Sequence, residues 1–268
     1  PDGNTVAYIH DDGRGAPRVR LVDPQNGKVL RSHRVTGQVS FDWLGDTLVV
    51  GQLEFAGRWS VRSDLWRWGP DGAWRRITPK ARLTDPRAGG GVLASLRITA
   101  GGNEPTPVAP PPPPAGPSRD EPWGPAVPPP DGAWLVAPRH RNGRWELVRW
   151  RAGSADALEV ILEAEHGAVI ADPVWTRDGA VLFVTDVADF PQVHRWQAGR
   201  GIVQVTAELH GARAPAPRPN GQILFATPGD EGWELRSVEP VALETKLEAP
   251  APAYAFTAAP AVPMRETG

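Results

Sequence analysis

The sequence predicts an all-β protein, a six-bladed β-propeller of four-stranded antiparallel blades with a degenerate third blade. Three observations carry this. The stretch from Asp172 to Ala207 reads as four short strands: Asp172–Thr176, Val181–Thr185, Gln192–Trp196 and Gly201–Val205. The second of these, VLFVT, is an almost unbroken apolar run, so both faces of its sheet must be covered, and the unit needs similar neighbours to do it. The same unit then recurs. Second strands begin at Val6, Leu48, Val92, Trp134, Val181 and Ile223, a spacing of 42 to 47 residues, which is the period of a propeller blade. Helices are excluded by the lack of long 3.6-period stretches and by the 31 Pro and 29 Gly that interrupt the chain.

The units follow in order. The first has Thr5–Ile9 after the Asp2-Gly3 turn, then Arg18–Asp23 and Lys28–His33. The second has Ser40–Trp43, Thr47–Gln52, Asp64–Trp68 and Trp74–Thr78. The third has Leu83–Pro86 and Val92–Thr99. The fourth has Trp123–Val127, Trp134–Pro138, Glu146–Trp150 and Leu158–Leu162, and the fifth is the unit already described. The sixth has Ala214–Arg218, Ile223–Thr227, Glu234–Val238 and Leu243–Leu247. Third strands align as RVRLVD, DLWRW, ELVRW, QVHRW and ELRSV. Asp-Gly and Asn-Gly turns precede several second strands, because glycine supplies the positive φ that a tight turn needs. Blades are expected near 1–38, 39–80, 81–121, 122–164, 165–207 and 208–248.

Two places depart from the pattern. After Thr99 the third unit reads EPTPVA and then Pro110 to Pro114. Prolines lack the N–H that a ladder needs and favour polyproline II, so an extended loop is expected in place of the two outer strands. The proline run could instead be a ligand for an aromatic groove. The first unit lacks an innermost strand. A segment within 254–262 is expected to supply it, pairing the two ends of the chain and removing both sheet edges. Residues 263–268 then read as a linker to a further domain.

Composition narrows the function. A net charge of −2 and a pI near 6.4 give no reason to expect nucleic acid or an anionic membrane as partner. The basic residues are nearly all Arg and are scattered, which reads as solvated faces and strand edges. Cysteine is absent, which rules out disulfides, thiol catalysis and Cys-ligated metal centres. There is no apolar run long enough to cross a bilayer as a helix. The chain opens in the middle of a turn without an initiator Met, and so reads as a mature domain or part of a larger polypeptide.

The turns carry a resemblance. Asp172-Pro173-Val174-Trp175-Thr176-Arg177-Asp178-Gly179, Pro130-Asp131-Gly132 and Pro1-Asp2-Gly3 are similar to the P-x-W-S-P-D-G turn of the TolB-like, WD-type propeller repeat, and Leu83-Thr84-Asp85-Pro86 resembles its junction between blades. Pro219-Asn220-Gly221, Leu44-Gly45-Asp46 and the third unit depart from it. The resemblance spans nearly the whole chain. It implies a propeller of the kind found as periplasmic TolB, as the gating domain of prolyl-oligopeptidase-like peptidases and in longer envelope proteins. It therefore implies part of a larger bacterial protein, in the periplasm or cell envelope.

No catalytic set stands out, and no cofactor or metal is expected. A serine hydrolase needs G-x-S-x-G, and Ala152-Gly153-Ser154-Ala155-Asp156 lacks the second Gly. Of the six His, none are paired at i, i+4, and His166-Gly167 and His210-Gly211 repeat at equivalent junctions, as structural residues do. His194 lies in a strand, where a packed or rim position is expected. His10-Asp11-Asp12-Gly13 and Asp186–Asp189 are acidic turns without an EF-hand pattern. The hairpin glycines Gly13, Gly15, Gly199 and Gly201 do not extend to a nucleotide-binding loop.

The 12 Trp are numerous. Six of them, Trp66, Trp68, Trp145, Trp150, Trp196 and Trp233, fall on or beside third strands, where flat side chains fill the wedge between twisted blades. The alternative is that Trp59 or Trp123 stands exposed on a loop as a contact anchor, and these two with Arg58 and His194 form the candidate interaction surface. The expected function is a non-catalytic scaffold that binds a protein or peptide, with further domains of the same polypeptide attached. The alternative is a substrate-gating or accessory propeller of a larger enzyme such as a serine peptidase. A carbohydrate or small-ligand binder using channel-mouth aromatics is a third class.

Overall fold

The computed structural model describes residues 5–23, 25–36, 39–99, 102–109, 121–152, 158–165, 167–187, 189–230 and 232–239. Among the described residues every regular element is a strand, and the strands form six antiparallel sheets of three or four. The first sheet holds β1 (Val6–His10), β2 (Arg18–Val22) and β3 (Val29–Arg34). The second holds β4 (Val39–Leu44), β5 (Thr47–Gly57), β6 (Ser60–Trp68) and β7 (Trp74–Arg76). The third holds β8 (Leu83–Gly89), β9 (Val92–Thr99) and β10 (Gly102–Ala109). The fourth holds β11 (Trp134–Arg141), β12 (Arg144–Arg151) and β13 (Glu159–Glu163). The fifth holds β14 (Ile170–Trp175), β15 (Val181–Thr185), β16 (Gln192–Gln197) and β17 (Gly201–Gln204). The sixth holds β18 (Arg213–Pro217), β19 (Ile223–Gly229) and β20 (Gly232–Val238).

Side-chain alternation along each second strand sets the order of the sheets. On β15, Val181 and Phe183 pack with Val136 and Leu147 of the fourth sheet, while Leu182 and Val184 pack with Ile223 and Phe225 of the sixth. On β5, Leu48 and Val50 face Val19 and Leu21 of the first sheet, and Val49 faces Leu83 and Leu93 of the third. Ala94 of β9 joins Leu135 and Ala137 of β11. A strand with period 2 and two covered faces must be apolar throughout, and all five residues of β15 are buried. Arg149 spans one such seam, with its guanidinium 4.5 Å from the ring centre of Trp134 and 4.6 Å from that of Trp196. Gly90 and Gly132 hold another, because a Cβ on Gly90 would lie 2.2 Å from the backbone N of Gly132.

Innermost strands are tied directly to one another. Ser40 Oγ accepts a hydrogen bond from Asp85 N at 3.0 Å, and Asp42 Oδ2 accepts one from Ala88 N at 2.9 Å. Asp172 repeats this toward Ala214. Asp85, Asp172 and Ala214 each precede a proline, have φ of 48° or 49°, and sit at a register shift between the first and second strands. The three bulges turn the start of each inner strand in the same way.

The third sheet corrects an expectation. Gly102–Ala109 is strand β10, paired to β9 through Gly102↔Thr99 and onward, where an extended loop was expected. Prolines two residues apart lie on the same edge of a strand. Pro105 and Pro107 can therefore turn their missing donors outward and leave the other edge to pair with β9. The fourth unit corrects another. Trp123–Val127 makes only two isolated bridges, Trp123↔Arg139 and Val127↔Val136, because Pro122 and Pro125 remove donors that a continuous ladder would use. The expected strand at Leu243–Leu247, the closing segment within 254–262, the linker at 263–268, the Pro110–Pro114 run, the Pro1-Asp2-Gly3 turn, Ser154 and His166 all lie outside the described residues.

Candidate interaction surface

Equivalent strands of neighbouring sheets run the same way, since Ser40 meets Asp85 while Asp42 meets Ala88 further along both strands. The hairpins joining second to third strands therefore lie at one end of the array. The β5–β6 hairpin is the longest of them, with strands of 11 and 9 residues paired as far as Gly57↔Ser60. Its tip carries Phe55 at 80% exposure and Trp59 at 88%, with Val61 also exposed. The Arg58 guanidinium lies 5.3 Å from the Trp59 ring centre. At the same end, Phe190 is exposed in the β15–β16 connection and Trp233 on β20. Exposed aromatic rings beside Arg are the composition of interface hot spots.

The structure brings Arg58 and Trp59 together and places the other two expected residues elsewhere. Trp123 is buried, with 7% exposure, against the edge of Trp150 at 5.8 Å and under the Arg139 guanidinium at 5.3 Å. Its position beside β11 puts the ring in the seam between the third and fourth sheets, so it cannot anchor a partner. His194 has no exposed surface and stacks on Phe183 at 5.7 Å, with Nδ1 3.0 Å from the carbonyl oxygen of Gln192. Burial holds its imidazole pKa below the ordinary value. Phe55 and Val61 join this surface without standing out in the sequence. The alternation of Leu53 and Phe55 before the tip, answered by Val61 and Ser63 after it, was the available signal.

Several polar groups that looked chemical are structural. Asp11 and Asp12 cap their own turn, each accepting a backbone hydrogen bond at 3.0 Å, from Gly13 and Arg14 respectively. Asp64 accepts Lys80 N and Ala81 N, both at 2.8 Å, and Gln192 accepts Glu208 N at 3.1 Å at the equivalent place in the fifth sheet. Asp42 is pushed up by burial, against the hydrogen bonds from Ala88 and Trp43. No group of three or more His, Cys, Asp or Glu among the described residues is arranged to hold a metal ion. Among the described residues no helix is long and apolar enough to cross a membrane.

Comparison with solved structures defines the fold as a β-propeller. The chain is similar to TolB from Acinetobacter baumannii (13% identity, TM-score 0.57, 88% of this chain and 66% of that one). It is also similar to a putative TolB from Agrobacterium tumefaciens (16%, 0.57, 78% and 78%) and to a puromycin-hydrolyzing peptidase from Mycobacterium tuberculosis (12%, 0.61, 91% and 46%). Its fold resembles that of the TolB propellers. The chain spans about two thirds of the Acinetobacter protein and less than half of the peptidase. No family model and no curated protein matches the sequence.

Proposed function

We propose that this chain is a non-catalytic scaffold of the bacterial cell envelope that binds a protein or peptide through the β5–β6 hairpin. The observation that carries the reading is the hairpin itself, where Phe55, Trp59 and Val61 stand in solvent beyond a sheet whose other apolar residues are largely covered. Burial of such rings against a partner contributes favourably because they bring large apolar area at little entropic cost. The similarity to TolB supports an envelope location. On this reading the six sheets are six blades, and the expected closing strand from within 254–262 would lie alongside Val6–His10. The test is photo-crosslinking from position 61, exposed on the same tip, in envelope extract. A discrete adduct that Phe55→Ser prevents supports the reading, and no adduct counts against it.

A second reading has its own support. The chain spans 46% of the Mycobacterium tuberculosis peptidase and 91% of it is matched there, so it could serve as the accessory propeller of a larger enzyme. The sequence adjoining this segment tests that. A downstream α/β-hydrolase domain favours the enzyme, and an envelope-anchoring domain favours the scaffold.

A further inference from the structure

We propose that the face of the first sheet turned away from the second binds a phosphate-type polyanion, held by Arg14, Arg18, Arg20 and Arg34. This rests on the first sheet alone and is independent of the hairpin. A groove of about 410 Å³ opens there, lined by these four arginines with His10 and Asp12. Within it, His10 lies directly opposite Arg18, which lies directly opposite Arg34, so three basic residues form a row across three strands. Like charges directly opposite in a sheet destabilise it.

Other sheets place carboxylates beside such arginines: Arg141 and Arg144 are directly opposite one another, but Glu121 lies 3.4 Å from Arg141. Arg144 meets Glu163 at 2.6 Å, Arg149 meets Glu159 at 2.7 Å, Arg195 meets Asp178 at 2.6 Å and Arg97 meets Glu104 at 3.6 Å. Arg67 and Arg75 are also opposite one another, but Asp71 lies 3.6 Å from Arg75. In the groove, Arg18 Nε donates to Ser32 Oγ at 2.7 Å and Arg20 Nη1 reaches Tyr8 Oη at 3.5 Å. These neutral partners orient the guanidinium groups without cancelling their charge. Asp12 is occupied by its own turn and lies 4.0 Å from His10 Nε2. Among the described residues, none of the four arginines has a carboxylate oxygen within 4.0 Å.

The free face of the sixth sheet carries one carboxylate, Glu239, which accepts a hydrogen bond from Gln222 Nε2 at 2.9 Å. Cross-strand register puts Leu224, Ala226, Trp233 and Leu235 on the free face of the sixth sheet. Glu234 and Arg236 belong to the opposite face, where Arg236 pairs with Glu234 and with Glu208. Cations that face one another without a carboxylate repel, so an anion is the natural complement. Guanidinium forks match phosphate oxygens in pairs. A row across three strands spans about 10 Å, which suits linked phosphates better than one.

The test is calorimetric titration of the intact chain with inorganic tripolyphosphate at low ionic strength, with a hexaglutamate peptide as the parallel arm. Saturable binding of tripolyphosphate that exceeds the peptide is expected. Arg18→Gln and Arg34→Gln should each weaken it about tenfold or more, while Arg200→Gln in a remote turn should leave it unchanged. Arg34→Gln should also raise the melting temperature of the free protein by removing a like-charge pair, which separates lost binding from lost folding. No saturable binding, binding indifferent to both groove variants, or preference for the peptide would overturn the proposal.

Discussion

Asp172 accepts a hydrogen bond from the backbone N–H of Ala214 at 3.2 Å, linking the innermost strands of the fifth and sixth sheets. Ser40 does the same for Asp85 at 3.0 Å. Asp85 and Asp172 tolerate their left-handed backbone because short polar side chains do so, whereas Ala214, at φ 49°, has no such help. Ala214→Gly should stabilise the protein by up to about 1 kcal/mol, since relief of the Cβ clash outweighs the added freedom of the unfolded chain. Asp172→Ala should cost about 1–2 kcal/mol by losing the bond and straining its own position. Urea midpoints of the two variants check the opposite signs.

Two tryptophans should separate stability from binding. Trp150 is buried in the cluster shared by the third and fourth sheets, and Trp150→Ala should cost about 3–5 kcal/mol. Trp59→Ala, at a site that is almost entirely in solvent, should shift stability by no more than about 0.5 kcal/mol and abolish partner crosslinking. Thermal unfolding of both variants, alongside the crosslinking assay, reads the difference.

Acid should weaken the protein through His194. Burial lowers its folded-state pKa below 6.5, the value for an exposed histidine, so the folded state holds fewer protons than the unfolded state. Stability is therefore full above about pH 6.5 and falls as pH drops below it, by at most about 1.4 kcal/mol per pH unit for one group. His33 acts in the same direction, through partial burial and then Arg18. His194→Leu removes the larger burial, so the gap between urea midpoints at pH 7.5 and pH 5.5 should narrow. An unchanged gap would place the acid sensitivity elsewhere.

Arg139 and Glu146 form a largely buried pair, with Arg139 Nε 2.9 Å and Nη2 2.5 Å from Glu146 Oε2. Glu146→Gln leaves the guanidinium without its counter-charge and should cost about 3–5 kcal/mol. Arg139→Met combined with Glu146→Leu should cost far less, because the desolvation penalty of both charges disappears. A double-mutant cycle by chemical denaturation measures the coupling.

Strand periodicity made most of the fold legible. Val92–Thr99 and Val181–Thr185 are strands with the expected ends, since apolar runs bounded by turns leave little choice. β10 was hidden because proline is read as a ladder breaker, and only its alternation at 105 and 107 shows that one edge stays usable. The placement of the candidate residues was half legible. Arg58 and Trp59 sit in a turn sequence, which implies exposure, but nothing local separates Trp59 from Trp123. The difference is tertiary, since Trp123 lies in a seam with Trp150, 27 residues further along. The cationic row escaped notice because scattered arginines look solvated until cross-strand register aligns them.

Hydrogen exchange at residues 5–10 tests the proposed ring closure most directly. The account predicts that this strand is protected in the intact chain and loses protection when the chain is ended at Leu247, with the fifth sheet unchanged. Equal exchange in the two chains would contradict closure by residues 254–262.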